Sequence, residues 1–344
     1  MQFQPPDHRR PKISVLLPFR NAAQTLDECL ESIQSQTFSH FELLAVDDHS
    51  GDESAKILRT RYDPRIRLLP NPGHGLVDAL NFGLRAARTP LIVRMDADDI
   101  MHPERLELQH RHLSDHPELD LSASRVELFP QALIGKGYRE YLRWQNALLT
   151  DTEIRDNCYV ESPFAHPSVM FRRDTVAGLG GYRHRQGDFP EDYDLWLRMI
   201  RAGCRMEKLP RVLLRWRESP QRLSRRDRAY RRTAFDRLRA EYLSRDPRLT
   251  PERELAYWGA GRKTRRRAGL LVERGHEPTV WVDIDPKKIG NRIAGVPVVS
   301  SAWLAREPRP FVLVYVANHG ARDRISVELE SLGYRRGIDY LAVG

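Results

Sequence analysis

Three carboxylates, Asp96, Asp98 and Asp99, follow directly on the short apolar run Leu91-Ile-Val-Arg-Met95. Acids crowded this closely repel one another, and their pKa values rise unless a cation neutralises them or water surrounds them. At the end of a buried strand, Asp-x-Asp therefore reads as an oxygen-ligand site for Mg²⁺ or Mn²⁺. Those ions bind through one or two carboxylates together with substrate phosphates, and they stabilise a departing phosphate as a Lewis acid. The same residues also suit a plain turn or cap, because short Asp side chains bond back to the local backbone. A second acidic group, Glu191-Asp192-Tyr193-Asp194, precedes Leu195, Met199 and Ile200 at helical spacing. Such carboxylates can act as a general base, or can simply cap the first turn and complement the helix dipole.

Both groups need a scaffold, and the first hundred residues supply one. Ile13–Leu17 is an apolar run of strand length ending at Pro18, followed by Leu26, Leu30 and Ile33 at helical intervals. Phe41–Val46 reads as a second strand ending in Asp47-Asp48-His49-Ser50, with a helix around residues 54–61. Ile66–Leu69 is a third strand, Leu76, Leu80 and Leu84 mark the next helix, and Leu91–Met95 is the fourth strand. Strand and helix alternating in this way predict an α/β fold with a mostly parallel sheet flanked by helices. In such a sheet the strand carboxyl ends share one edge, where ligands bind. Pro18, Asp47, Asp48, Asp96 and Asp98 are all placed at that edge, which lets residues distant in sequence form one site.

Residues 13–52, from Ile-Ser-Val-Leu-Leu-Pro-Phe-Arg-Asn through Val-Asp-Asp-His-Ser-Gly-Asp, together with Arg94-Met-Asp-Ala-Asp-Asp99, resemble the nucleotide-sugar half of family 2 glycosyltransferases of the GT-A fold. The likeness continues in His166-Pro-Ser-Val-Met-Phe-Arg-Arg and Pro190-Glu-Asp-Tyr-Asp-Leu-Trp-Leu-Arg, and so covers about residues 11–220. The resemblance implies inverting transfer of a sugar from a nucleoside diphosphate sugar, a UDP-sugar foremost, to a hydroxyl of a polysaccharide or glycolipid precursor. It places the base and ribose against Pro18, Arg20, Asn21 and Asp48, the diphosphate-bridging Mn²⁺ or Mg²⁺ on Asp98, and Asp96 near the nucleotide. It also places Asp192 at the position of the catalytic base. Glu191, His166, Trp196 and Arg217 stand as acceptor-side or supporting residues. His166 serves equally as a satisfied packing residue, and Trp196 either stacks on a sugar ring or belongs to the core. Two departures from the family pattern stand out. His49 replaces the usual glycine of an Asp-Asp-Gly-Ser loop, and Arg215-Trp-Arg217 stands where many relatives end in a metal-binding histidine. A guanidinium has no lone pair for a metal, though it could pair with a diphosphate.

Residues 222–245 change character, with dense arginines interleaved with Tyr230, Phe235, Leu238 and Tyr242 at helical intervals. The stretch reads either as an amphipathic linker helix with a solvated basic face or as a contact for an anionic membrane surface or phosphate-bearing glycolipid. No base-reading motif accompanies the charge, so nucleic acid is not an expected partner. After Pro251 a second α/β unit begins. Ala256-Tyr-Trp-Gly-Ala-Gly261 reads as strand and glycine turn, and Thr279-Val-Trp-Val-Asp-Ile-Asp285 as a strand ending in acids. Gly259, Gly261 and Asp283 make half of a dinucleotide fingerprint; Thr264 stands at the third glycine position. The region resembles the Rossmann-like accessory domains beside sugar-modifying transferases. A phosphate ligand at the helix N-terminus and an empty structural domain are both compatible with it.

The expected layout is a GT-A domain over 1–220, a basic helical linker over 221–250 and a Rossmann-like domain over 251–344. A length of 344 residues suits two cores, and the formal charge of +9 suits anionic substrates. Cys29, Cys158 and Cys204 are odd in number and lack C-x-x-C spacing, which indicates neither disulfides nor a thiolate zinc site. The first dozen residues are polar and no apolar run approaches a membrane span. The expected setting is the cytoplasm, with room for peripheral contact at the inner membrane face. Two alternatives remain at this level: a dinucleotide-dependent oxidoreductase centred on Gly259 and Gly261, and a non-catalytic sugar-nucleotide-binding protein.

Overall fold

A computed structural model describes residues 10–184, 189–220, 222, 225, 227–316 and 320–344. Most of the polar first dozen residues, Leu223, Ser224 and Arg226 of the basic stretch, and Ala317 and Asn318 lie outside the described residues. The chain forms two compact units: among the described residues the first holds 10–154, 163–184, 191–220, 222 and 225, and the second holds 155–162, 189–190, 227–316 and 320–344.

The first unit is built on an eight-stranded sheet in the order β3-β2-β1-β4-β7-β6-β8-β5. Its strands are β1 Ile13–Phe19, β2 Phe41–Asp47, β3 Ile66–Pro70, β4 Leu91–Arg94, β5 Ile100–Met101, β6 Leu119–Phe129, β7 Met170–Arg172 and β8 Arg205–Arg217. Every residue of β1 is buried, as expected of a parallel strand covered on both faces. β1 lies between β2 and β4, parallel to both, with Phe19 opposite Asp47 and Leu16 opposite Arg94. The chain thus leaves three neighbouring strands at one edge, at Arg20, Asp48 and Met95. The helix Leu76–Ala86 covers the sheet closely: a Cβ on Gly83 would come within 2.1 Å of Leu16 Cδ1.

β7 runs antiparallel to β4, with Val93 opposite Met170, and the Arg94 N–H donates to the Val169 carbonyl at 3.1 Å. The turn preceding β7 is therefore carried to the same edge. His166–Ser168 forms one 3₁₀ turn and the strand begins at Met170, consistent with Pro167 having no N–H for a ladder. On the far side β8 pairs with β6 in parallel, and Ile100 of β5 lies opposite Arg215.

The second unit carries a six-stranded sheet in the order β11-β12-β10-β9-β13-β14. The strands are β9 Leu255–Trp258, β10 Val280–Val282, β11 Arg292–Ile293, β12 Val296–Val299, β13 Phe311–Val314 and β14 Tyr340–Ala342. All pairings except β11 with β12 are parallel. Strand order reverses direction between β9 and β13, the arrangement of doubly wound sheets. Much of the basic stretch belongs to this unit as the helix Arg232–Leu243, whose Ala234, Leu238, Ala240, Tyr242 and Leu243 are buried. Arg231, Arg232 and Arg237 are exposed, but the apolar side that a membrane contact would use is covered. No helix among the described residues is long and apolar enough to cross a membrane.

Candidate active site

The turn after β4 gathers the first acidic group. One oxygen from each of Asp96, Asp98 and Asp99 lies within 4.8 Å of the others. Burial, and then the neighbouring Asp96 charge, pushes Asp98 up to about 6. Asp99 is buried and raised well above the ordinary carboxylate range by burial first, then by Asp98 and Asp96. Its Oδ2 is buried without a hydrogen-bond partner among the described residues. Crowded, protonation-prone hard oxygens and one orphaned acceptor fit a divalent cation of the Mg²⁺ or Mn²⁺ type, which would neutralise them and satisfy the orphan. Cys29 donates its S–H to the Asp96 carbonyl at 3.4 Å, and burial raises its thiol far above the usual range, so it adds no thiolate ligand.

Arginines surround this group. Arg94, at the end of β4 and 2% exposed, places Nη1 2.6 Å from Asp96 Oδ1. Arg105, also fully buried, donates to the Arg94 carbonyl at 3.1 Å and to Gln109 at 2.9 Å. Arg222 stacks 4.3 Å from the Trp216 ring and donates to Tyr138 Oη at 2.9 Å, and Tyr138, followed by the three acids, raises its pKa despite burial. Arg217 was expected as an acceptor-side or diphosphate contact. The structure commits it elsewhere: its N–H bonds Asp99, its Nε–H bonds the Asp98 carbonyl at 2.6 Å, Nη2 pairs with Glu28, and the group lies 4.4 Å from the Phe129 ring.

Pro18, read in the sequence as the end of its strand, is buried within β1 opposite Val46, and the loops that follow β1 and β2 bring Arg20, Asn21 and Asp48 together. Asp48 Oδ1 accepts from Asn71 Nδ2 and from the Gly75 N–H, each at 2.8 Å, while Arg20 lies 3.8 Å from Oδ2. Asn21 and His49 both have positive φ, 52° and 59°. Glycine suits that conformation at no steric cost, which explains why His49 is unusual there. It is held by an Nε2 contact to the Gly73 carbonyl at 2.7 Å and by stacking on His74 at 4.4 Å. Asn21 Oδ1 accepts the Gly51 N–H at 2.7 Å, tying the two loops together.

The second acidic group opens the helix Glu191–Arg201. Asp192 keeps part of its surface open, yet burial and then Glu191 push it up to about 8. His166 faces both neighbours, with Nε2 2.9 Å from Tyr182 Oη and Nδ1 3.7 Å from Glu191 Oε1. Burial and then Arg94 hold its pKa well below the usual value, so the imidazole is neutral. Asp194 is fully buried and accepts from Arg198 Nε at 2.7 Å; Arg198 also donates to the Leu179 and Gly181 carbonyls. That pair is structural. Trp196 cannot stack on a sugar: it is 0% exposed and packs edge-on against Phe164 and His166. Ile200, expected on the buried side, is only half-buried because it falls at the edge of the stripe.

Sequence reasoning missed Arg94 and Tyr182, and it left Asn81, in the segment after the Asn71-Pro-Gly-His-Gly turn, out of the primary site. Asn81 clamps the Tyr182 backbone from both sides, at 2.7 and 2.9 Å, and so positions the hydroxyl that meets His166. For Arg94 a signal was present, a lone cation inside an otherwise apolar strand.

In the second unit, Gly259 has φ +116°, and the space a Cβ would need is taken by Thr264 at 2.8 Å. Asp283 accepts the Ala260 N–H at 2.8 Å and the Asp285 N–H at 2.9 Å, and pairs with Lys288 at 3.2 Å. The acid expected to face a ligand is therefore spent on holding the glycine turn. Gly261 ends that turn, immediately before the helix Arg262–Val272.

Comparison with known proteins agrees with the first unit. The model for Glycosyl transferase family 2 matches residues 14–179. The amylovoran biosynthesis glycosyltransferase AmsE of Erwinia amylovora is 35% identical over 218 residues, 62% of this chain and 79% of that protein. The UDP-Gal:alpha-D-GlcNAc-diphosphoundecaprenol beta-1,3-galactosyltransferase of Escherichia coli is 28% identical over 221 residues, covering 63% and 78%. Among solved structures, S. aureus TarS 1-349 in complex with UDP-GlcNAc superposes with a TM-score of 0.51 at 17% identity, over 68% of this chain and 72% of that one, a likeness of fold. With a sheet edge, an acid cluster and relatives of this kind in agreement, the chain belongs to glycosyl transferase family 2 and is a glycosyltransferase.

Proposed function

We propose that the protein transfers a sugar, with inversion, from a nucleoside diphosphate sugar, UDP-linked foremost, to a hydroxyl of a polysaccharide or glycolipid precursor, and that it depends on Mn²⁺ or Mg²⁺. The observation that carries this reading is that the Asp96–Asp98–Asp99 cluster and Asp48 share one sheet edge, with Glu191, the neighbour of Asp192, 3.7 Å from His166 in the turn before β7. The printed activities of the relatives, in amylovoran biosynthesis and on a diphosphoundecaprenol-linked sugar, support the acceptor class.

In this mechanism Pro18, Arg20, Asn21 and Asp48 receive the base and ribose, and Asp96 and Asp98 face the diphosphate. A divalent cation bound at Asp98 would stabilise the charge that grows on the departing diphosphate. Asp192 takes the acceptor hydroxyl proton as that oxygen bonds to the anomeric carbon and the anomeric carbon–phosphate oxygen bond breaks. Glu191 and neutral His166 flank the base, and Tyr182 fixes the imidazole. A nucleotide-sugar panel assayed for slow hydrolysis in Mn²⁺, Mg²⁺ and EDTA tests the reading. Turnover of one UDP-sugar that EDTA abolishes is expected; binding of UDP without hydrolysis or transfer under any condition would overturn it.

A further inference from the structure

Arg94 lies between the two acidic groups. Its guanidinium, 2% exposed, is 2.6 Å from Asp96 on one side. On the other it interacts electrostatically with Glu191, Asp192, Tyr182 and His166. Its backbone is fixed on both edges of β4: Arg94 N–H bonds the Val169 carbonyl at 3.1 Å, Leu16 lies opposite it in β1, and the buried Arg105 holds its carbonyl. Arg94 Nε is buried with no hydrogen-bond partner among the described residues. A buried cation with an unspent donor is costly unless its charge is used, and the nearby acids are where it is used.

We propose that Arg94 is a positioning residue for both halves of the reaction, holding the Asp96 carboxylate on the donor side and serving as the fixed countercharge that acts on Asp192 on the acceptor side. This rests on reading Asp192 as the base. The charged groups that act on Asp192 are Glu191 and Arg94; Asp192 in turn acts on Tyr182, neutral His166 lies 3.7 Å from Glu191, and the Asp194–Arg198 pair belongs to the same helix. Removing a nearby cation disfavours an ionised carboxylate, so losing Arg94 makes Asp192 harder to ionise. Lysine, a point charge on a thinner stem, restores charge without the planar fork that meets Asp96.

The test uses the full chain labelled with ¹³C at Asp carboxyls, free of added metal, with Asp192→Asn identifying the Asp192 resonance. In Arg94→Gln the Asp192 midpoint should rise by about one unit or more, equivalent to a tenfold loss of the ionised form at a fixed lower pH. Arg94→Lys should show a smaller rise, and both variants should bind UDP with Mn²⁺ more weakly by calorimetry. An Asp192 midpoint that stays in place in folded Arg94→Gln overturns the proposal; should that variant fail to fold, Arg94→Lys, which keeps the charge but loses the fork on Asp96, decides, and wild-type affinity for UDP with Mn²⁺ in it overturns the proposal. The base assignment fails separately, if Asp192→Asn keeps full turnover while the midpoint shift in the Arg94 variants is present.

Discussion

Arg217 donates its main-chain N–H to the Asp99 carboxylate at 2.7 Å, stapling the end of β8 to the acidic turn after β4. The Nε–H bond to the Asp98 carbonyl and the pairing with Glu28 extend the same staple. Arg217 thus shapes the acidic turn through bonds to two of its residues.

Arg217→Ala is expected to raise the Mn²⁺ concentration needed for half-maximal turnover, because the acidic turn loses the side-chain bond to the Asp98 carbonyl and the pairing with Glu28, while the main-chain bond to Asp99 remains. Charge-assisted hydrogen bonds of this sort are worth about 1.5–3 kcal/mol, so a lower melting temperature should accompany the change. A metal titration curve that stays put while donor KM climbs would instead place the guanidinium on the diphosphate.

On the proposed mechanism Asp98→Asn should abolish metal-supported turnover and weaken donor binding, since it would remove a charged oxygen from the cation proposed to hold the diphosphate. Asp96→Asn should also be severe, and it additionally strips Arg94 of its close partner. Equal activity of Asp98→Asn and wild type in both EDTA and Mn²⁺ would remove Asp98 from the site.

The apolar runs of β1, β2 and β4 and the acids that follow them were legible in the sequence because a parallel strand is buried on both faces and its carboxyl end must emerge at the ligand edge. What was not legible is what each polar side chain does once there. Trp196 and Arg217 are both compatible with substrate contact by residue type. Only packing shows that one is enclosed by Phe164 and His166 and the other is engaged by Glu28, Asp98 and Asp99. Asp283 likewise stands at the place where a ribose-binding acid is expected, yet a hydrogen bond to Ala260 turns it inward. Arg94 shows the reverse case, a residue inside a strand whose charge reaches two clusters nearly a hundred positions apart.

Because Trp196 is enclosed, Trp196→Ala should cost about 3–5 kcal/mol of stability, the usual range for emptying a large aromatic site. Trp196→Phe should retain most of the fold and leave KM for donor and acceptor near wild type. An unchanged melting temperature with a large rise in acceptor KM would restore the sugar-stacking role.

The raised Asp98 carboxyl, about 6 in the metal-free protein, makes cation binding compete with a proton. The group is harder to ionise in the folded chain than in the unfolded one, so between about pH 4 and 6 the folded state holds the extra proton and stability contributed by this group falls as pH rises. A divalent cation reverses that by favouring the ionised form. The rise in melting temperature on adding Mn²⁺ should therefore be small at pH 5 and grow through pH 7, and comparing with and without metal cancels the opposite slope from His166, whose depressed pKa favours stability as pH rises. A metal-induced increment independent of pH across this range would show that Asp98 is not where the cation binds.

Asp192→Asn separates the base from a helix cap. A general base contributes ~10²–10⁴-fold to turnover, and donor affinity, set by Asp48, Asp96 and Asp98, should stay near wild type, so kcat falls while donor binding does not. The capping alternative predicts a loss of about 0.5–2 kcal/mol with little effect on catalysis by the folded enzyme. Stability distinguishes them by sign. Asp192 is raised to about 8 by burial and by Glu191, so the folded protein disfavours its ionised form, and the neutral amide of Asn should leave the melting temperature unchanged below about pH 4 and raise it by a growing amount from about pH 4 to about pH 8. The Asn Oδ1 can still accept the Tyr193 N–H that Asp192 accepts at 2.7 Å, which keeps the first turn intact. Loss of kcat together with a preserved or increased melting temperature is the expected result; a destabilised protein with full turnover would end the assignment of the base.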